Sequence, residues 1–376
     1  MKIAIVGCGI VGAAIAYTLS QKTDWEITVW DRRTPDKWEA TGAALGVLMA
    51  VVRTRLKGKH VRLCLESLQC YESIIPQLEA LTNIAIPYNR GGIVQLCFNP
   101  QDLVYWQKTQ AMRQRQGFTL EILNRAQLLK RYPDLSEARQ AKNAAVGAIY
   151  SPQDRQVDPV ICAQALIKAA QLQGVQFIWQ TPIQDFRCGS DQRVTYVVTE
   201  TDVTPVDAVV ITAGLDSQLL TAQLQPSLTL QPVLGQALRL KRPDPFAYPY
   251  PVVNGGDVHL VPLNAQELWV GATVEFPEED SLESPQANPA LLEQVLGDAI
   301  ALDPTLATAE ILQTWSGLRP RPDGRPAPVI ETLASHPNVV LATAHYRNGV
   351  LLAPITAVRV QNLLAALLND PRFIVV

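Results

Sequence analysis

The chain has 376 residues, 48% of them hydrophobic and 18% charged, with a formal net charge of −3. That is enough to bury a substantial core in two domains, and the balance is ordinary for a soluble enzyme. No basic block is present, which argues against nucleic acid as a partner. Six cysteines, at positions 8, 64, 70, 97, 162 and 188, include no C-x-x-C pair. Neither a metal site nor a disulfide framework is expected, and a reducing cytoplasm fits best.

The apolar run at 3–6 reads as a buried parallel strand stopped by glycine. Gly7, Gly9 and Gly12 then fit G-x-G-x-x-G, with Ile10 and Val11 between the last two. The first glycine permits a tight turn, the second lets a pyrophosphate approach the backbone, and the third lets helix and strand pack closely. Ala13, Ala14 and Ala16 keep the following helix slim, and its N-terminus offers N–H groups and a positive dipole end to phosphate. A second strand at 27–30 ends on Asp31, 19 positions after Gly12 (31 − 12), followed by Arg32. An acid there accepts hydrogen bonds from an adenosine ribose. The alternative is a glycine-rich structural turn, and the motif alone does not choose between NAD and FAD. The glycines and the single leading Lys2 favour strand–turn–helix over a signal peptide.

Further along, Thr41, Gly42, Ala43, Gly46, Val47 and Leu48 form a small-residue stretch. It reads either as backbone lying against something flat or as a plain loop. Helical periodicity covers 59–81. A strand follows at 91–98, then helices near 100–116 and 125–131, and a strand at 145–150. Asp158 and Pro159 cap a helix reaching 174. Residues 176–180 form a short strand, and 194–199 alternate as a hairpin strand does. The run 207–212 is a second parallel-type strand. It ends at Ala213-Gly214, either a turn facing a cofactor or an ordinary strand-to-helix junction.

Residues 228–275 look antiparallel, with strands at 233–240, 258–262 and 268–273, and a proline-dense surface loop at 243–251. A helix at 289–302, a strand at 311–315 and a buried strand at 339–343 precede a last helix from Gly349. Arg359, Gln361 and Asn362 interrupt its apolar run, so a packed helix is expected there and no membrane span. The expected class is α/β. A discontinuous Rossmann-like nucleotide-binding domain takes 1–85, 145–225 and 315–376, and a second, mostly antiparallel β plus α substrate domain takes 86–144 and 226–314.

Two late stretches carry chemistry. A strand delivers Arg319 just before a proline-rigidified loop, and a fixed guanidinium suits two-pronged recognition of a carboxylate. The alternative, an arginine-rich surface loop, holds for at least one of Arg321 and Arg325. In 344–354 a strand ends, a polar turn with Arg347 and Asn348 follows, and Gly349 opens a helix whose N–H groups face the turn. That arrangement stabilises an anion such as the charge on a reduced flavin ring. Arg347 could hold a substrate or close a lid, and Asn348-Gly349 could be merely a turn signal.

Together the dinucleotide motif, 41–48, Ala213-Gly214, Gly271-Ala272-Thr273, Gly317-Leu318-Arg319-Pro320 and 345–354 resemble the glycine oxidase branch of the D-amino-acid oxidase family. Order and spacing match along almost the whole chain, and the last motif is the most specific. The resemblance implies FAD and oxidation of an amine next to a carboxylate, with O2 or another acceptor taking the electrons. It further implies a homotetramer and a setting in thiamine thiazole synthesis. By its motifs Arg319 pairs with the substrate carboxylate, and Arg347 sits near flavin and substrate. Gly349, Val350 and Leu351 offer backbone N–H groups to the pyrimidine end of the flavin, with Asn348 and Leu352 beside them also binding the cofactor, while Val175 and Ile183 fall where the family builds its adenine contact.

Related sarcosine oxidases tether FAD through a cysteine near the Arg319 position. None of the six cysteines here is close to it, so the FAD is expected to be non-covalent. The chain departs from the family at His259, where a tyrosine helps clamp the carboxylate. His259 either does the same through a ring N–H, admits a different substrate, or points idle out of its sheet. The rivals are an amine dehydrogenase using a non-oxygen acceptor, and an FAD-binding assembly or maintenance factor with impaired catalysis.

Overall fold

A computed structural model describes residues 1–22, 24–135, 144–224, 228–277 and 287–367. A six-stranded sheet runs in the order Val329–Thr332, Val339–Thr343, Ala208–Ile211, Lys2–Val6, Glu26–Trp30, Gln176–Ile178. Its pairs are parallel except the first, which is antiparallel. The central strands are apolar at nearly every position because both faces are covered. Side chains alternate between the two sides. Ile3 and Ile5 join a core shared with helices Ile10–Ser20, Lys59–Thr82, Pro159–Leu172 and Gly349–Leu367, whereas Ala4 and Val6 face a small antiparallel sheet of 185–205 through Phe186, Val194 and Val197.

The second large sheet has eight strands, in the order Glu310–Pro322, Leu230–Lys241, Glu267–Gly271, Val258–Pro262, Val252–Gly255, Ile93–Cys97, Gly147–Ser151, Glu121–Asn124. Only Val252–Gly255 with Ile93–Cys97 is parallel. Helix Pro289–Leu302 covers one face, placing Leu292, Val295 and Ala299 on Leu238, Leu260 and Val270.

Several expectations change. Gly147–Ser151 and Glu310–Pro322 hydrogen-bond within the eight-stranded sheet, not with the nucleotide-type strands. Arg319 therefore lies inside a strand, not ahead of a loop. Pro320 and Pro322 are accommodated because this is an edge strand, where a missing N–H breaks no ladder bond. The proline-dense 243–251 stretch is only partly surface. Phe246 is buried, and its ring tilts against Tyr250, which meets Tyr132 edge-on. Val252–Gly255, hidden behind those prolines, is a strand. The 41–48 stretch is not plain loop either: Ala40–Ala43 is one helical turn, and Val47–Leu48 pair with Arg155 and Gln156.

Among the described residues one helical stretch, Tyr346–Leu367, is long and apolar enough to cross a membrane, and 67% of its most apolar window is buried inside the protein.

Candidate active site

The two large sheets meet along a cleft of about 700 Å³, within the range of small-molecule and cofactor sites. One end is made by the carboxyl ends of Lys2–Val6 and Glu26–Trp30. Gly7 turns the chain there with φ 98°, and a Cβ on Gly12 would strike the Gly7 carbonyl oxygen. Bare backbone thus lets the Ile10–Ser20 helix begin directly at the cleft. Thr41, on the short turn opposite, accepts the Ile10 N–H through Oγ1 at 3.0 Å. The next N–H groups, of Val11 and Gly12, are left by helix geometry without intrahelical partners.

Asp31 lines this end, and part of its carboxylate is committed to the loop itself. Oδ2 accepts the Cys8 N–H at 2.6 Å and Oδ1 the Arg33 N–H at 2.9 Å. Arg33, which the motif does not flag, completes the frame. Its guanidinium lies 4.0 Å from the Trp38 ring and 4.8 Å from Trp179, and donates to the Cys8 carbonyl at 2.6 Å. Arg32 borders the cleft in ion pairs with Glu39 and Asp216.

Ala43, Gly46, Val47, Ile183, Ala213 and Gly214 line the middle. Five expected cofactor residues do not line the cleft. Gly12 is occupied in the packing just described, and Gly42 lies against Trp38. Leu48 and Leu352 are fully buried in the core. Val175 is also core, its N–H closing the end of Pro159–Leu172 by donating to the Ala170 carbonyl. Its apolar side chain serves helix packing, and Ile183 lines the cleft there with Thr181 and Pro182.

At the far end His259, Arg319, Arg347, Asn348, Gly349, Val350 and Leu351 come together from three elements. Arg319 reaches across Leu230–Lys241, its Nη1 donating to the Leu234 carbonyl and to that of Thr273, just after Glu267–Gly271, each at 3.1 Å. Its guanidinium lies flat over Gly235, where any Cβ would overlap it. Among the described residues Arg319 has no carboxylate ion-pair partner. Burial and the Arg347 guanidinium lower its pKa from the ordinary arginine value, but a guanidinium remains cationic at any working pH. Arg347 itself is exposed.

His259 lines the pocket, which excludes the reading in which it points idle out of its sheet. Its Nδ1 is buried without a hydrogen-bond partner, and burial and Arg347 push its pKa down to about 4. The ring is therefore neutral near pH 7. The turn leading to Gly349 is strained: Ala344 and Tyr346 both take positive φ, at 58° and 53°. Buried His345 secures it through Nε2 to Thr356 Oγ1 at 2.9 Å.

Two helix N-termini thus open on one cleft, Ile10–Ser20 at the phosphate-type end and Gly349–Leu367 beside the arginines. That donor set fits an extended ligand with a pyrophosphate at one end and an anion-prone ring at the other. Sequence reasoning missed Arg33, Arg53 and Gly235, because none belongs to a local motif. Their roles arise from contacts with Cys8, Asn348 and Arg319.

A mostly parallel sheet covered by helices on one face and a small antiparallel sheet on the other, with this cleft at its carboxyl edge, fits a dinucleotide-cofactor oxidoreductase. Residues 2–363 match the FAD dependent oxidoreductase family, DAO, and the chain belongs to it; FAD is its cofactor. The chain is 32% identical over 372 residues to the bifunctional protein ThiO/ThiG of Synechocystis sp., covering 96% of this chain and 51% of that one. It therefore spans about half the length of that relative. It is 29% identical over 365 residues to the glycine oxidase of Geobacillus kaustophilus, covering 96% and 92%. The crystal structure of glycine oxidase from Geobacillus kaustophilus superposes with a TM-score of 0.86, at 26% identity over 97% of this chain and 95% of that one. The iminodiacetate oxidase of Chelativorans sp., at 20% identity and a TM-score of 0.84, shares the fold.

Proposed function

We propose that the protein oxidises a small amino acid or secondary amine that carries a carboxylate, using FAD held non-covalently. The observation that carries this is Arg319: a partly buried guanidinium at the cleft's far end, fixed by two carbonyls over Gly235 and without an acid partner among the described residues. Such a group is a preformed receptor for a carboxylate. The bound flavin supplies the hydride acceptor. What the chain supplies is orientation: Arg319 fixes the carboxylate so that the α-C–H faces the cofactor, and Arg347 adds positive potential at the same end. That potential, with a neutral His259, favours the neutral amine whose lone pair expels the hydride. The resulting imine hydrolyses to a keto acid and ammonia, and O2 or another acceptor takes the electrons.

In this reading Gly7, Gly9, Ile10, Val11, Asp31, Arg32, Thr41, Ala43, Gly46, Val47, Ile183, Ala213 and Gly214 border the ADP half and the middle of the cofactor. Asn348, Gly349, Val350 and Leu351 border its ring. The six-stranded sheet and its helices form the cofactor domain. The eight-stranded sheet forms the substrate domain, with Gly147–Ser151 and Glu310–Pro322 moved into it. Six free thiols support a reducing compartment, the cytoplasm. Likeness to the ThiO/ThiG proteins supports a place in thiamine thiazole synthesis, and family resemblance a homotetramer. The test is Arg319→Ala, which should stay yellow with bound FAD and lose amine oxidation through weakened substrate binding. Normal turnover of glycine or sarcosine by that variant would remove Arg319 from the site.

A further inference from the structure

We propose that Arg53 is a positioning residue: it clamps the 346–348 turn through Asn348 and so sets the N-terminus of Gly349–Leu367 at the cleft. The proposal rests on the reading that this helix end meets the flavin. Arg53 lines the cleft and belongs to none of the sequence motifs above. Its three guanidinium nitrogens reach three different places. Nε donates to the Met49 carbonyl at 2.6 Å, Nη1 lies 3.1 Å from His60 Nε2, and Nη2 donates to Asn348 Oδ1 at 2.5 Å. Facing an arginine donor, His60 accepts on Nε2, so it acts here as a neutral ring. Burial and the charges of Arg53 and Arg55 lower its pKa accordingly.

The loop that launches Arg53 is itself immobilised by two buried charges. Asp154, with no solvent exposure, accepts the N–H groups of Ala50, Val51 and Val52 at 2.6, 2.8 and 2.9 Å. Arg113, equally buried, donates to the Val51 carbonyl at 2.9 Å and the Arg55 carbonyl at 3.2 Å. The Tyr105 hydroxyl adds a bond to the Thr54 carbonyl. Burying two charged side chains is costly unless each is well hydrogen-bonded. Here both are spent on one short loop of 50–56, flanking the residue that reaches into the cleft. The turn at its other end needs holding, since Ala344 and Tyr346 occupy positive φ. A stiff platform on one side and a strained turn on the other are joined by one guanidinium.

The fork matters as well as the charge. A lysine ammonium cannot reach Met49, His60 and Asn348 together, so Arg53→Lys should behave like Arg53→Met. The experiment is hydrogen–deuterium exchange of the apoprotein together with FAD titration of the same samples. Arg53→Met and Asn348→Ala should each raise exchange of the amides at 346–351 and weaken FAD binding by about tenfold or more, as loss of a charge-assisted hydrogen bond does. The double variant should be no worse than Arg53→Met alone, because the Asn348 link is already cut in that variant.

Unchanged exchange at 346–351 in an Arg53→Met protein with wild-type melting temperature would overturn the proposal. Full rescue by lysine, or single effects that multiply in the double variant, would do the same. Should Arg53→Met fail to fold, Asn348→Ala decides alone, and wild-type exchange in it overturns the clamp. Raised exchange with wild-type FAD affinity would keep the clamp and instead overturn the assignment of this helix end to the flavin.

Discussion

Gly235→Ala tests how the substrate end is built. The added Cβ would overlap Nη1, Nη2 and Cζ of Arg319, the guanidinium whose remaining N–H groups are meant to meet a carboxylate. Around Gly235 the strand is hydrogen-bonded on both sides, to Glu310–Pro322 and, through Leu234 and Gln236, to Glu275 and Thr273, so the backbone has little room to yield. The guanidinium must move instead, losing its bonds to the Leu234 and Thr273 carbonyls. A displaced charge-assisted pair with substrate is worth about 1.5–3 kcal/mol, or roughly 10–150-fold in affinity. Stability should suffer less, because the clash is with the free end of a long side chain. The assay is steady-state kinetics with a small amino acid, beside FAD titration and thermal melting. We expect KM to rise by about tenfold or more, with the bound flavin spectrum unchanged. A KM within about twofold of wild type would show that Arg319 does not need the position it holds over Gly235.

Two further predictions concern the cofactor end and the acid response. Gly12→Ala sets a Cβ against the Gly7 carbonyl oxygen and within 2.8 Å of Thr212 Oγ1. Overpacking of that kind costs about 1–3 kcal/mol, so melting temperature and FAD affinity should both fall, and a variant matching wild type in both would contradict the packing account. His345 is buried neutral, its pKa pushed down to about 3, below the ordinary value of about 6.5. The unfolded chain takes the proton first, so this contribution to stability is complete above about pH 6.5 and is lost as pH falls toward 3. By about pH 4.5 the loss from this group approaches 3 kcal/mol. His345→Gln can keep a hydrogen bond to Thr356 but cannot be protonated. Its urea stability should therefore decline less than wild type between about pH 7 and 4.5, and parallel declines would rule out His345 as a source of acid lability.

Local physics was readable in the sequence. The glycine spacing, the alanines after it and Asp31 specify a strand–turn–helix whatever lies around them, and the buried strands at 3–6, 208–211 and 339–342 announce themselves by uninterrupted apolar runs. Arg319 stood out because it precedes proline, although the reason was misread: an edge strand tolerates Pro320, so no loop begins there. Contacts between distant segments were not readable. Nothing near Gly235 in sequence says that a guanidinium from position 319 will lie on it. Nothing near Arg53 points to Asn348, 295 residues away. Family position puts Val175 and Leu352 at the cofactor, and sequence alone does not say that their apolar side chains pack into the helix core. Asp31 carries a second duty that spacing could not show, holding Cys8 and Arg33 as well as facing the cleft.

The most direct test of the central claim is anaerobic mixing of the purified holoprotein with a panel of amines while the visible flavin band is followed. Glycine, sarcosine or another small amine bearing a carboxylate should bleach the band, and the same amines with the carboxylate removed or amidated should not. Bleaching that ignores the carboxylate, or a flavin that no amine in the panel reduces, would contradict the assignment of this cleft to carboxylate-guided amine oxidation.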